Sequence, residues 1–185
     1  EGGVLLRYLR AVSMAFSMYS RLPMPWVRWS DDCRAWVLCA FPLVGAVLGL
    51  LLLAWSALAD LLTLTPQLRA AGAVLLPLAY TGGIHMDGFC DTCDALASHQ
   101  DRARKLEILK DSRVGAFAVL GCVSYLLLQY ALWCQPGWEK EDLWALALVP
   151  VLSRATSGYG ALTQPGARAD GLLAAFTEQE QGRGR

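Results

Sequence analysis

Charge is the scarce ingredient of this chain. Asp, Glu, Lys and Arg make up 17% of it against 55% apolar residues, and the mean hydropathy is +0.37. The scarcity is regional: no charged side chain occurs from Ala35 to Ala59 or from Val114 to Trp138, and Ala70 to Met86 holds only His85. Uncharged apolar runs of about 18 or more residues are the mark of membrane helices. The composition therefore excludes an ordinary soluble domain and predicts an integral membrane protein. A net charge of zero leaves no basic surface to neutralise a phosphate backbone, which excludes a nucleic-acid partner.

Histidine is scarce, with two in the chain, and the cysteines make no paired framework. Six cysteines are scattered along the chain and form no secreted disulfide framework. Cys90 and Cys93 make a single CxxC near His85, but no second pair completes the four ligands of a structural zinc site. The opening EGGVLLRYLR has no secretory-signal pattern, and the first long apolar run begins only after Arg34. Insertion is thus expected to rest on the helices themselves.

What is present is a series of apolar helical stretches. Leu5 to Tyr19 reads as an amphipathic entry helix, stopped by RLPMP at Arg21 to Pro25 because proline lacks an amide donor. Ala35 to Ala59 is long enough to cross a hydrocarbon core of about 30 Å, and its Gly45 and Gly49 form a GxxxG that admits a close helix neighbour. Leu68 to Thr81 is shorter and carries Pro77, with Pro66 suited to the first helical turn. Val114 to Cys134 is uninterrupted, and a loop from Gln135 to Asp142 leads to a last apolar stretch ending near Leu162. The fold expected is an all-α polytopic membrane bundle with about four spans, at roughly 35–59, 68–81, 114–134 and 143–162. Basic residues collect before the first span, in the central segment and at the end, while the intervening loops offer only Arg69 and Lys140. That alternation predicts a cytoplasmic N-terminus and central segment.

The polar segment 82–113 holds both histidines, six acidic residues and five basic ones. Asp87, Asp91 and Asp94 follow at i, i+4 and i+7, so a helix would project all three carboxylates from one face. Stacked like charges repel, and a hard divalent cation such as Mg²⁺ reverses that cost. The alternative is a solvated face with Arg or Lys partners, yet no basic residue stands among these aspartates until Arg102. Asp101 to Arg113 reads as a second helix, with Asp101 as N-cap and Glu107 and Asp111 at i, i+4 among Arg104, Lys105, Lys110 and Arg113. Mixed charge of this kind normally forms surface ion pairs, but beside a carboxylate face it could also receive phosphate, as phosphoryl transfer requires. Arg154, inside the last apolar stretch, is either functional or snorkels to the membrane edge.

These residues resemble a known family. GGIHMDGFCDTCDAL followed by RKLEILKDSRVGAF is similar to the central motifs of the cobalamin 5'-phosphate synthases, also called adenosylcobinamide-GDP ribazoletransferases, and RLPMP, FPLVGAVLG and RADGLLAAF look like further family positions. The resemblance implies a Mg²⁺-dependent enzyme of the bacterial inner membrane. Its reaction would join α-ribazole, or its 5'-phosphate, to adenosylcobinamide-GDP through a ribose hydroxyl and release GMP. By resemblance, Asp87, Asp91 and Asp94 of an HxDGxxDxxD pattern are metal ligands, and His85 is a polar partner or proton acceptor. In an LExxxDSR pattern, Glu107 and Asp111 have catalytic duty, and Lys110 and Arg113, together with Arg154, hold phosphate. Ala95 and Ala118 stand where the family has glycine, and the family's late Gly-Asp and Glu motif is not found in this sequence. Two other classes fit the pattern less well. CDP-alcohol phosphotransferases space their aspartates differently, and a divalent-cation carrier would place its acidic residues inside the spans. The sequence leaves the oligomeric state open, a homo-oligomer included.

Overall fold

The computed structural model describes residues 2–25, 34–135 and 140–164. Among them are seven helices and no strand: α1 Gly2–Tyr19, α2 Arg34–Leu61, α3 Pro66–Thr81, α4 Ile84–Ala97, α5 Arg102–Ile108, α6 Ala116–Trp133 and α7 Lys140–Thr163. The all-helical expectation holds. Two of these helices, α2 over Trp36–Leu61 and α6, are long and apolar enough to cross a membrane. At 16 residues α3 reaches only about 24 Å at about 1.5 Å per residue, and α7 carries Glu141, Asp142 and Arg154. RADGLLAAF and most of the loop after Gln135 lie outside the described residues.

The chain divides into two compact units. The first comprises residues 1–54 and 139–185. Its core is set by how closely α2 and α7 approach. A Cβ on Gly45 would stand 2.4 Å from the Pro150 carbonyl oxygen, and one on Gly49 would stand 2.1 Å from that of Ala147. Farther along, Gly158 faces the Leu38 carbonyl oxygen and Arg154 lies over the Phe41 ring. Rising numbers on α2 meet falling numbers on α7, so the two run antiparallel, and the partner that the GxxxG admits is α7. The entry helix α1 is half-buried as its pattern predicts, with Ala11, Met14, Ala15 and Phe16 inside and Val4, Leu5, Leu6 and Leu9 outside. Its aromatic residues meet α2 through Tyr8 against Trp36 and Tyr19 against Phe41.

The second unit comprises residues 55–138. Trp55 covers Gly72 and its indole N–H donates to the Arg69 carbonyl at 2.9 Å, while Asp60 pairs with Arg69. Thr65 caps α3 by accepting from the Leu68 amide, and Pro66 occupies the first turn, where its missing amide costs nothing. Gly82 and Gly83 both adopt positive φ, 65° and 81°. Both of their amides donate to the Leu78 carbonyl, which ends α3, and α4 starts one residue later. That turn brings α4 back against the start of α6.

Gly45→Ala and Gly49→Ala should each lower stability, by about 1–3 kcal/mol as overpacking does. Gly160→Ala, with nothing within 4 Å of its added Cβ, should instead gain up to about 1 kcal/mol. Thermal unfolding in detergent would check the contrast.

Candidate functional site

The site is built on α4. Asp87 is exposed, and Asp91 and Asp94 are half-buried one and two turns on. The helix expected over these aspartates is present, and its acidic face is real. Its electrostatic cost shows at Asp91: burial, then the neighbouring carboxylates Asp87 and Asp94, hold this carboxyl above its usual range. Raising an acid's pKa in the folded state means that stability falls as pH rises from the unfolded value through the folded one.

Asp94 is differently placed. One of its carboxylate oxygens accepts from the Gly115 amide at 2.7 Å and the other from the Ala118 amide at 2.8 Å. Gly115 is the N-cap of α6 and provides no side-chain cap of its own, so two amides at that helix start need an acceptor from elsewhere. Asp94 supplies it from another helix. Charge-assisted bonds of this kind contribute about 1.5–3 kcal/mol each. Space for the carboxylate exists because Gly115 lacks a Cβ, which would fall 2.5 Å from an Asp94 oxygen.

From that point α4 and α6 run antiparallel. Gly121 lies against Cys93, and Phe89 stacks on Tyr125 with ring centroids 5.4 Å apart. Cys90 meets Cys122, and its thiol is pushed up to about 11, first by burial and then by Cys122, Cys93 and Asp87. A thiol so protonated is a poor nucleophile at neutral pH. Small residues on α6, Gly115, Ala118 and Gly121, let α4 lie along its flank. Ala95 and Ala118, expected at glycine positions, are both buried.

The second polar helix is shorter than its sequence pattern predicts. Asp101 caps it as expected, accepting from the Arg104 amide at 2.8 Å, but α5 ends at Ile108 and not near Arg113. The reason is local: Asp111 accepts from the backbone amide of Arg113 at 3.0 Å, a side-chain turn that competes with helix. Asp111 also binds the Arg113 guanidinium, which holds its carboxyl down to about 2. It is therefore anionic and a weak base at neutral pH. Glu107 pairs with Arg104 at 2.6 Å on an exposed face. Lys110 and Arg113 are exposed on the turn after α5.

His85 stands in the first turn of α4, half-buried, with its Nε2 shielded from solvent. Arg154 belongs to the first unit, with its guanidinium carbon 6.0 Å from the Phe41 ring centroid and one terminal nitrogen 3.3 Å from Ser153 Oγ.

Among the described residues, no three His, Cys, Asp or Glu side chains stand together in an arrangement that could by itself hold a metal ion. Asp87 and Asp91 nevertheless suit a hard cation, because Mg²⁺ is usually held by one or two carboxylates with waters and substrate phosphates completing its shell. The raised pKa of Asp91 marks a charge that such a cation would relieve. Sequence reasoning missed the amides of Gly115 and Ala118. The signal was a glycine opening an apolar helix with no capping side chain nearby.

With two helices, α2 and α6, long and apolar enough to cross a membrane, the all-helical chain has the makings of a membrane protein. The comparisons give the particular family. A family model described as cobalamin-5-phosphate synthase matches residues 11–184, and the chain belongs to that family. An adenosylcobinamide-GDP ribazoletransferase of Lachnoclostridium phytofermentans is 37% identical over 173 residues, covering 94% of this chain and 66% of the relative. The corresponding protein of Halalkalibacterium halodurans is 39% identical over 152 residues, covering 79% and 57%. That of Clostridium perfringens strain 13 is 34% identical over 157 residues, covering 85% and 62%. The chain thus spans less than two thirds of the length of these curated relatives. No solved structure matches it.

Asp91→Asn removes a half-buried charge that repels its neighbours. In chelator at neutral pH the variant should unfold at a higher temperature than the parent, and added Mg²⁺ should stabilise it less. A lower unfolding temperature would show that Asp91 is compensated in the fold.

Proposed function

We propose that this chain acts as a membrane transferase that joins α-ribazole, or its 5'-phosphate, to adenosylcobinamide-GDP with release of GMP, with the carboxylates of α4 at its site. The observation that carries the reading is the pair Asp87 and Asp91 on α4, one of them held above its normal pKa, in a chain of the cobalamin-5-phosphate synthase family. The names of the relatives supply the substrate class.

Asp87 and Asp91 would hold Mg²⁺, which when bound neutralises the diphosphate of the substrate. Lys110 and Arg113 receive the phosphate oxygens, with the Asp111 carboxylate holding the Arg113 guanidinium in place. His85, at the start of the helix that bears the aspartates, takes the proton of the attacking ribose hydroxyl. An oxygen–phosphorus bond forms at the phosphorus nearer the cobinamide, the diphosphate bridge breaks, and GMP departs. Glu107 orients the cationic face through Arg104.

The membrane reading rests on α2 and on α6, of which only 6% is buried, with Phe117, Leu120, Val123, Leu127 and Leu128 all exposed. Apolar surface on this scale requires a covering that water does not provide. In our reading α3 and α7 complete four spans, and the N-terminus and α4–α5 face the cytoplasm of a bacterial inner membrane. The arginine and lysine distribution supports that orientation.

The purified chain, incubated with adenosylcobinamide-GDP, α-ribazole and Mg²⁺, should yield GMP and a ribazole-bearing corrinoid by mass spectrometry. Asp87→Ala and Asp91→Ala should each cut GMP release by about 100-fold. Undiminished turnover in either variant would sink the metal assignment.

A further inference from the structure

Three aspartates share one face of α4, yet the structure treats them unequally. Asp94 has each carboxylate oxygen on a backbone amide of α6, at 2.7 and 2.8 Å, while Asp87 is exposed and Asp91 has its charge uncompensated by any cationic side chain among its perturbing neighbours. We infer that Asp94 is a positioning residue and not a cation ligand: it clamps the start of α6 to α4 and so sets the place of the Asp87–Asp91 pair. The inference rests on the reading that this pair holds the cation.

Three features carry it. The first is the completeness of the bonding. A capping box normally takes two side chains, one accepting from the third helical amide and the other from the cap residue's own amide. Here one carboxylate does both, at Ala118 and Gly115. Its negative charge also meets the positive end of the α6 dipole, which offsets repulsion from Asp91 without any metal.

The second feature is the shape of Gly115. Its φ of −89° is open to any residue, so conformational freedom does not call for glycine there. The constraint is steric: a Cβ would lie 2.5 to 2.7 Å from the Asp94 carboxylate atoms. Glycine at this position is explained by the carboxylate that fills the space.

The third is the continuation of the contact. Ala118 is 1% exposed, Gly121 is filled by Cys93, and Phe89 packs on Tyr125. Asp94 stands at the end of this seam, one turn from Asp91 and two from Asp87. Loss of the clamp would let α4 shift along α6, and the carboxylate pair would move with it.

A second-site test separates the roles. Gly115→Ser gives α6 a capping hydroxyl of its own, ordinarily as good as glycine or better, but in the parent its Cβ collides with Asp94. Asp94→Ala removes both clamp and obstruction. In detergent-solubilised full chain, each single variant should lower the unfolding temperature by about 5 °C or more, and Asp94→Ala/Gly115→Ser should regain at least about half of the Asp94→Ala loss. Mn²⁺ binding followed by electron paramagnetic resonance supplies the second readout. Asp94→Ala should weaken binding by about tenfold, as loss of a group supporting metal ligands does; the double variant, capped but unclamped, should stay weak, whereas oxidising Cys90 and Cys122, which meet across α4 and α6, to a disulfide in the Asp94→Ala chain should recover affinity to within about threefold of the parent.

If Mn²⁺ affinity stays low in the Asp94→Ala chain with Cys90 and Cys122 joined, Asp94 is itself a ligand and the inference fails. It fails equally if Asp94→Ala lowers stability and leaves Mn²⁺ affinity untouched, since the clamp would then be structural alone. A neutral or stabilising Gly115→Ser would remove the steric argument. Absence of Mn²⁺ binding by the unaltered chain would remove the Asp87–Asp91 reading, and the positioning role with it, while the unfolding temperatures still reported on the clamp.

Discussion

The arrangement of the second unit depends on one carboxylate meeting two amides. An apolar helix that starts with glycine has donors at its N-terminus and nothing of its own to satisfy them. In a hydrocarbon setting that debt is several kcal/mol per group. Asp94 meets it from the neighbouring helix, and in doing so orients α4 so that the other two aspartates are held at a defined angle to α6. Small residues at Gly115, Ala118 and Gly121 are the geometric condition for this approach, and the close packing at Cys93 and Phe89 keeps it in register.

Electrostatics then divides the polar segment into zones of different strain. On α4, Asp91 is charged against its surroundings, a cost that a ligand can relieve. On the turn after α5, Asp111 and Arg113 satisfy each other in water and store little. The first zone is the one that the proposed cation would relieve. The second is a solvated pair that can be opened cheaply, because exposed ion pairs are worth little in water.

Much of this was legible in the sequence, and what was legible was local. Asp101 and Pro66 announced their helix starts, and the 87, 91, 94 spacing announced a shared face, because each depends on residues within a few positions of one another. The GxxxG at Gly45 and Gly49 predicted a close neighbour but not that it would be α7, about a hundred residues away. Asp94 shows the same limit: charge and spacing grouped it with Asp87 and Asp91, and only the fold places the amides of Gly115 and Ala118 beside it. The end of α5 escaped prediction because the Asp111 side chain outcompetes the helix for a backbone amide, a contest in which periodicity has no vote.

The clamp has one more consequence. Because Asp94 is tied to Gly115, 21 positions on, the chain between them is a loop whose two ends are pinned at a single point. The entropy of closing such a loop grows only slowly with its length. A residue added or removed in the short link from Ser98 to Gln100 should therefore cost little stability while the tie between Asp94 and Gly115 holds. The tie thus separates what fixes α4 against α6 from the length of chain that happens to join them.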